Sequence, residues 1–596
     1  MPSLKVFDGL TTQQEGMNAG TLASLIGENQ FHMGVNITCR NGVVGTRPPF
    51  IEVVLESGIP GAIQNITTGK FQGMYTYQYE DTTYIAFGVN GYVYLIDPIA
   101  GAIYDMSSGP GLFNQYVDRL HFCQVEKYLV VQDGISVPLI IEDTASRAAV
   151  QTPPDLEVPT GTIMAYCHGR LFVKTGVREF IAGDINQPAT PTAVLKFSET
   201  EYLAGGGAFF TPADMGDITA MSWAQAFGEA TGEGPLMVMC QRGICSYKVS
   251  VPRLNWQDMP IMRIEPGGNG CASEYCVVRM NEDLLFRSWH GIQDFKLLSV
   301  EAATHHRMTN LNTEVKPFLD LEDPQLIQFS HGAKFDDRFL YTAIGETVTA
   351  LDRSGEPSED YRFAGLISLD FATFNGLASL GATLKPAYDG IWTGVHPMGL
   401  ASGVFQYEEM CFVFGKDDNG FNHLYRLMDT LGNDKGNIPI ECKFYTRTLS
   451  FMAYDKEYPR PVPQMHKTLL DASLWLVHLE NAIAFALSAA PDNFVDFQEL
   501  STIRVNADMS DGGQPQVRAK LPFPAFTKGA CDRVSRRNIN TGFEFQFLVE
   551  WAGVAQISKF MIAAEANTEV EKFECGLEDI RFTETGPDNF SYDIEA

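Results

Sequence analysis

Four of the eleven cysteines form two pairs with one Cys-x4-Cys spacing, Cys240/Cys245 and Cys271/Cys276. A structural zinc site needs four converging thiolates or imidazoles, and Gly243 would set the first pair across a hairpin turn. Cys276 lies in the apolar run Tyr275–Val278, which reads as buried, so these thiols are expected in the core. His305-His306 is the one histidine pair, in a polar stretch with no second ligand cluster beside it. Asp417-Asp418-Asn419-Gly420 has the opening of a calcium loop but not its ligand spacing or its closing glutamate. Acidic residues before glycine are ordinary hairpin chemistry. Asp336-Asp337 could suggest a glycosidase carboxylate pair, but neighbours in a strand point to opposite faces. The reading is a solvated turn before Arg338-Phe339. There is no phosphate-binding Gly-x4-Gly-Lys-Ser/Thr loop, no His-Glu-x-x-His and no Gly-x-Ser-x-Gly elbow. No catalytic residue, cofactor or metal is expected, and the chain is not read as an enzyme.

Those residues need a frame, and composition narrows it. The chain has 596 residues, 45% hydrophobic and 19% charged, which fits a globular chain with more than one core. Fifty-four glycines, 40 phenylalanines and 22 tyrosines favour short strands joined by tight turns. The net charge of −30 opposes wrapping nucleic acid, since phosphate affinity comes from clustered Lys and Arg. An odd cysteine count in a large chain argues against a disulfide framework. Met1-Pro2-Ser3-Leu4-Lys5 opens no long apolar run, so no signal peptide is expected, and no stretch is long enough for a transmembrane helix.

From about Gln72 a strand–turn–strand grammar recurs, with turn glycines at Gly91, Gly134, Gly176, Gly243, Gly291, Gly345 and Gly420. Several spacings fit the ~40–50-residue repeat of propeller blades, and the longer ones need insertions. Stacked sandwiches or barrels would also yield glycine turns. Before this region, Val35, Ile37 and Cys39 alternate with polar residues toward a tight turn at Asn41-Gly42, and Arg47-Pro48-Pro49 forces an extended exit. After Ile438 the pattern changes. Met465–Ser488 contains no glycine or proline and could be a helix on that ground alone; Phe543–Trp551 alternates as a clear strand. The last 36 residues carry ten carboxylates against one Lys and one Arg, an expected acidic edge. The predicted fold is all-β: an N-terminal arm and docking segment over 1–70, a propeller-like core of short antiparallel sheets over 71–437, and a β-sandwich over 438–596.

The segment Arg40-Asn41-Gly42-Val43-Val44-Gly45-Thr46-Arg47-Pro48-Pro49-Phe50, preceded by Gly9-Leu10-Thr11-Thr12-Gln13-Gln14, resembles the N-terminal region of the tail nozzle proteins of short-tailed bacteriophages, also called tail tubular protein B. Two further stretches are similar to that family: Gly270-Cys271-Ala272 with Leu285–Ile292, and Ile438-Pro439-Ile440-Glu441-Cys442-Lys443 at the entry to its sandwich. The resemblance makes paired strands the better reading of Met465–Ser488. It also implies a virion structural protein at the distal end of a short tail, synthesised in the host cytoplasm.

In that reading the chain forms a ring, expected to be a homo-hexamer, docked on a tail adaptor ring and neighbouring tail fibres or spikes. Double-stranded DNA is retained behind it, then passes through its lumen without specific binding as the tail meets the host envelope surface. A carboxylate-lined lumen would repel phosphate, and insertions near 199–235 and 353–400 are candidates for closing it. The residues assigned to assembly or docking are Arg40, Asn41, Gly42, Arg47, Pro48 and Pro49. Arg47 either pairs with a carboxylate across a subunit boundary or staples its own arm to the propeller. The alternatives are a glycan-binding or glycan-cleaving propeller used in host attachment, which would place convergent carboxylates and exposed aromatics in a central pocket, and a cellular scaffold.

Overall fold

The computed structural model describes residues 4–10, 15–107, 113–142, 144, 149–150, 157–197, 208–225, 233–249, 261–264, 270–280, 283–295, 312–372, 386–428, 430–451, 465–492, 496–505, 517–522, 541–566, 580–584 and 590–594. Their architecture is all-β: a propeller of seven blades fused to a β-sandwich.

Aromatic and β-branched residues alternating between turns make each blade a small antiparallel meander. In blade 1 the strands are Phe71–Tyr79, Thr82–Val89, Tyr92–Asp97 and Ala102–Asp105. Val89 pairs with Tyr92 across Asn90-Gly91, whose φ values of 50° and 74° make the left-handed two-residue turn that suits strand twist. Blades 2 to 5 begin with His121–Val125, Met164–Cys167, Ile218–Gln225 and Val277–Met280. Blade 6 runs Gly332–Phe335, Arg338–Leu351, Pro357–Asp370 and Ala387–Trp392. Blade 7 runs His396–Phe405, Glu408–Lys416 and Asn422–Leu427, and its fourth strand is Phe50–Glu52 from the N-terminal segment. The first strands of the seven blades follow one another around a central cavity, and that of blade 7 packs on that of blade 1, closing the ring.

The cores lie between blades. Phe87 and Phe414 join blades 1 and 7, Val93 and Leu129 blades 1 and 2, Val130 and Leu171 blades 2 and 3, and Phe180 and Val238 blades 3 and 4. Five of the expected turn glycines stand between the second and third strands of a blade and Gly291 opens a third strand; Gly345 does neither. Arg338–Leu351 runs on through Gly345: Ala343 pairs with Gly365 and Gly345 with Phe363, so the register is kept past Ile344, which stands at φ 62°. The turn of blade 6 instead uses Gly355, at φ 82°.

The sandwich consists of two sheets. One contains Lys467–Leu479, Val517–Pro522 and Ala555–Ala566. The other contains Glu441–Tyr445, Ile483–Pro491, Gln498–Val505 and Phe545–Ala552. Met465–Ser488 therefore forms strands, but Lys467–Leu479 and Ile483–Pro491 go to opposite sheets and do not pair with each other. Each buries alternate residues into the common core, Leu474 and Leu476 from one side and Phe485 and Leu487 from the other.

The described strands of the N-terminal segment are paired into both bodies. Leu4–Leu10 pairs with Ala555–Ala566, and Ile37–Thr38 and Val44–Thr46 join the same sheet. Met33–Val35 lies between Ala387–Trp392 of blade 6 and Glu441–Tyr445 of the sandwich. Blade 6 thus runs without a break into the sandwich as one nine-stranded sheet. At that seam Gly390, at φ 137°, is so close to the next strand that a Cβ would lie 2.3 Å from the Gly34 carbonyl oxygen. Among the described residues no helix is long and apolar enough to cross a membrane. Most of the acidic C-terminal stretch, and residues 199–207, 226–232 and 373–385 of the proposed insertions, lie outside the described residues.

Candidate docking segment and central cavity

Arg40, Asn41 and Gly42 form a 3-10 turn between Ile37–Thr38 and Val44–Thr46, with Gly42 at φ 74°. The turn aims Arg40 at blade 6. Its Nε donates to Asp370 at 2.9 Å and its Nη1 to Asp336 at 2.6 Å. Arg338 donates to Asp336 as well, and its Nε reaches Asp389 at 3.0 Å. Two guanidinium groups therefore face three carboxylates. Burial opposes the charge on Arg40, but its contacts with Asp370 and Asp336 raise its pKa. Burial raises that of Asp389, against Arg338. Asp336-Asp337 forms the left-handed turn between the first two strands of blade 6. It is a turn, as expected, but Asp336 is not merely solvated: it bridges two arginines.

Arg47 is fully buried. Nη1 and Nη2 donate to the two oxygens of Asp434 at 2.9 and 2.6 Å. Nε donates to Asn36 Oδ1 at 3.0 Å, Nη1 to the Pro48 carbonyl at 2.8 Å and Nη2 to the Thr393 carbonyl at 2.6 Å. All five N–H donors are thus used inside the chain. The guanidinium also lies 4.3 Å from the centre of the Phe50 ring. Pro48 and Pro49 are buried, and the Phe50 N–H donates to Asp434 at 2.9 Å. Of the two readings of Arg47 the geometry is that of a staple: it pins the start of the ring-closing strand Phe50–Glu52. Arg47, Pro48 and Pro49 offer no free surface to a neighbour, because extended Arg-Pro-Pro leads the chain into the propeller and not outward.

The central cavity has a volume of about 790 Å³ and is lined from all seven blades. Glu233, Glu274 and Glu409 face Arg279 and Lys334 there, so its charge is nearly balanced. Arg279 lies 4.0 Å from the centre of the Trp223 ring, and Tyr75 stacks on Phe122 at 6.3 Å. His121 pairs with Glu274, and Tyr166 donates to Glu126. Burial pushes the Tyr75 hydroxyl up to about 12. The sequence reading missed these residues; the first strand of each blade was the signal that could have found them.

The cysteine pairs fall in separate cores: Cys240 and Cys245 between blades 3 and 4, Cys271 between blades 4 and 5, and Cys276 against the core shared with the sandwich. All nine cysteines among the described residues are buried and unbridged. Asp417 caps its hairpin by accepting from the backbone of Asn419 at 2.9 Å and of Phe421 at 2.8 Å. His305-His306 lies outside the described residues.

No family model and no curated protein matches this chain. Among solved structures, similarity is found to the C-terminal WD40 domain of Sif2, at 8% identity over 72% of this chain and 100% of that one, with a TM-score of 0.29. The S. cerevisiae core factor is 10% identical over 61% of this chain and 58% of that one, with a TM-score of 0.30. The AfRom2 CNH domain is 10% identical over 52% and 94%, with a TM-score of 0.24. Scores this low carry no argument.

Proposed function

We propose that this chain is a virion structural protein, the protomer of a tail nozzle ring that continues the DNA channel, retains the genome and conducts it on ejection. The observation that carries the reading is the nine-stranded sheet joining blade 6 to the sandwich. With the N-terminal segment threaded through both bodies, it leaves no flexible joint between them along the sheet. A stiff two-body protomer suits a ring that must hold its bore under load.

The DNA path in this reading lies between protomers and not along the propeller axis. A cavity of about 790 Å³ has the size of a small-molecule site. Its carboxylates nearly cancel against Arg279 and Lys334, so the excess behind the net charge of −30 lies elsewhere on the chain. Light scattering behind size exclusion, with negative-stain imaging, tests the proposal. A closed ring with an open centre, of six copies by mass, is expected; a monomer at all concentrations overturns it.

A second reading has its own observation. Trp223, Tyr166 and Tyr75 line the cavity together with three glutamates, and aromatic faces beside carboxylates are what sugar rings engage. A glycan-binding propeller used in attachment would bind oligosaccharides as a monomer, and Trp223→Ala would abolish that binding.

A further inference from the structure

We propose that Cys167, His168 and Glu233 bind one divalent cation of the zinc class at the edge of the propeller cavity, clipping blade 3 to blade 4. The inference is independent of the nozzle reading. Cys167 ends the first strand of blade 3, and His168-Gly169 is a left-handed two-residue turn with φ values of 50° and 71°. Glu233 opens the Glu233–Cys240 strand of blade 4. The Cys167 thiol, a ring nitrogen of His168 and a Glu233 carboxylate oxygen all lie within 4.8 Å of one another.

The surroundings prepare these atoms for a metal. Nε2 of His168 lies 2.9 Å from the Gly234 carbonyl oxygen. A carbonyl can only accept, so Nε2 is the donor; in the neutral ring Nδ1 then carries the lone pair, 3.9 Å from Glu233 Oε2. A ligating imidazole is ordinarily held this way, its far N–H donated to a carbonyl or carboxylate. The Glu233 carboxylate is in turn held by the backbone N–H of His168.

Cys167 is buried beside that carboxylate. An anion next to an anion is costly without a cation, whereas a coordinated thiol is deprotonated outright. Thiolate and carboxylate together would balance a charge of +2. One sulfur, one imidazole nitrogen and one carboxylate oxygen match zinc better than magnesium or calcium, which prefer all-oxygen shells. Bond lengths of about 2.0–2.3 Å require the three atoms to draw together by roughly an ångström. The fourth position is left to water. Glu233 also lines the cavity, so the site stands at its edge.

The test uses the full chain, stripped with chelator and titrated with Co²⁺ as the probe. One Co²⁺ per chain is expected, with a sulfur-to-cobalt charge-transfer band in the near ultraviolet, displaced by Zn²⁺. Cys167→Ser should remove that band. Glu233→Gln, an isosteric change at a half-buried position, should keep the band and weaken Co²⁺ at least tenfold. Absence of binding, a band that survives Cys167→Ser, or unchanged affinity in Glu233→Gln each overturns the proposal. Circular dichroism of each variant shows whether it has folded, and if Cys167→Ser does not fold, Glu233→Gln decides.

Discussion

Arg47 and Asp434 share two parallel N–H···O contacts, at 2.9 and 2.6 Å, across 387 residues of sequence. Asp434 accepts in addition from the backbone N–H of Phe50, so one carboxylate holds both the arginine and the first residue of the ring-closing strand.

Arg47→Ala should lower stability by about 3–5 kcal/mol, since removing one partner of a buried pair strands the other charge. Denaturant unfolding of the isolated chain measures the loss. If Arg47 instead acted mainly across a subunit boundary, the isolated chain would unfold as the wild type does and only assembly would suffer.

Gly390→Ala should cost roughly 3 kcal/mol or more. The new Cβ would meet the Gly34 carbonyl oxygen at 2.3 Å, and φ at 137° is a strained conformation for alanine. The effect falls on the seam between propeller and sandwich. Thermal melts followed by near-ultraviolet circular dichroism should show it, and Gly355→Ala, where a Cβ meets nothing within 4 Å, should be far milder.

Asp360 gives a pH prediction. It is fully buried, accepts from the Phe71 N–H at 3.3 Å and lies 3.9 Å from Lys416. Burial raises its pKa to about 6, against the pull of Lys416. The folded state therefore binds more protons than the unfolded state between about pH 4 and pH 6. Its contribution is most favourable below pH 4 and falls as pH rises through 6, by about 3 kcal/mol in all. The stability difference between wild type and Asp360→Asn, followed from pH 4 to 7, should fall with rising pH. A flat difference would remove the assignment.

Deleting residues 1–53 should abolish soluble monomer. It bares the edge of Asn422–Leu427 in blade 7 and strips Leu4–Leu10, Ile37–Thr38 and Val44–Thr46 from the sandwich. Deleting residues 1–10 removes one strand from the seven-stranded sheet and leaves blade 7 closed. Size exclusion and dye binding should rank the two deletions in that order.

The strand grammar around Asn90-Gly91 and Asp417–Gly420 was readable because tight turns demand particular residues and alternation marks the buried face. Gly345 misled because a glycine inside a strand, beside the left-handed Ile344, looks locally like a turn glycine. Local pattern also said that Arg47-Pro48-Pro49 is extended, but not where it goes. Its partners Asn36, Thr393 and Asp434 are set by tertiary packing and leave no periodic trace. Cys167-His168 carried no signal for the same reason: Glu233, the third member, is 65 residues on from His168.

The ring-closing strand also sets a timetable. Phe50–Glu52 leaves the ribosome about 370 residues before Asn422–Leu427, the edge it closes. Arg47 waits 387 residues for Asp434, roughly 20–80 s at ~5–20 residues per second. Through that interval Phe50–Glu52 lacks its partner strand, the condition in which nascent chains recruit chaperones or stick to one another. For this protein the yield of native molecules should therefore depend on translation speed and chaperone supply more than on the stability of any single blade.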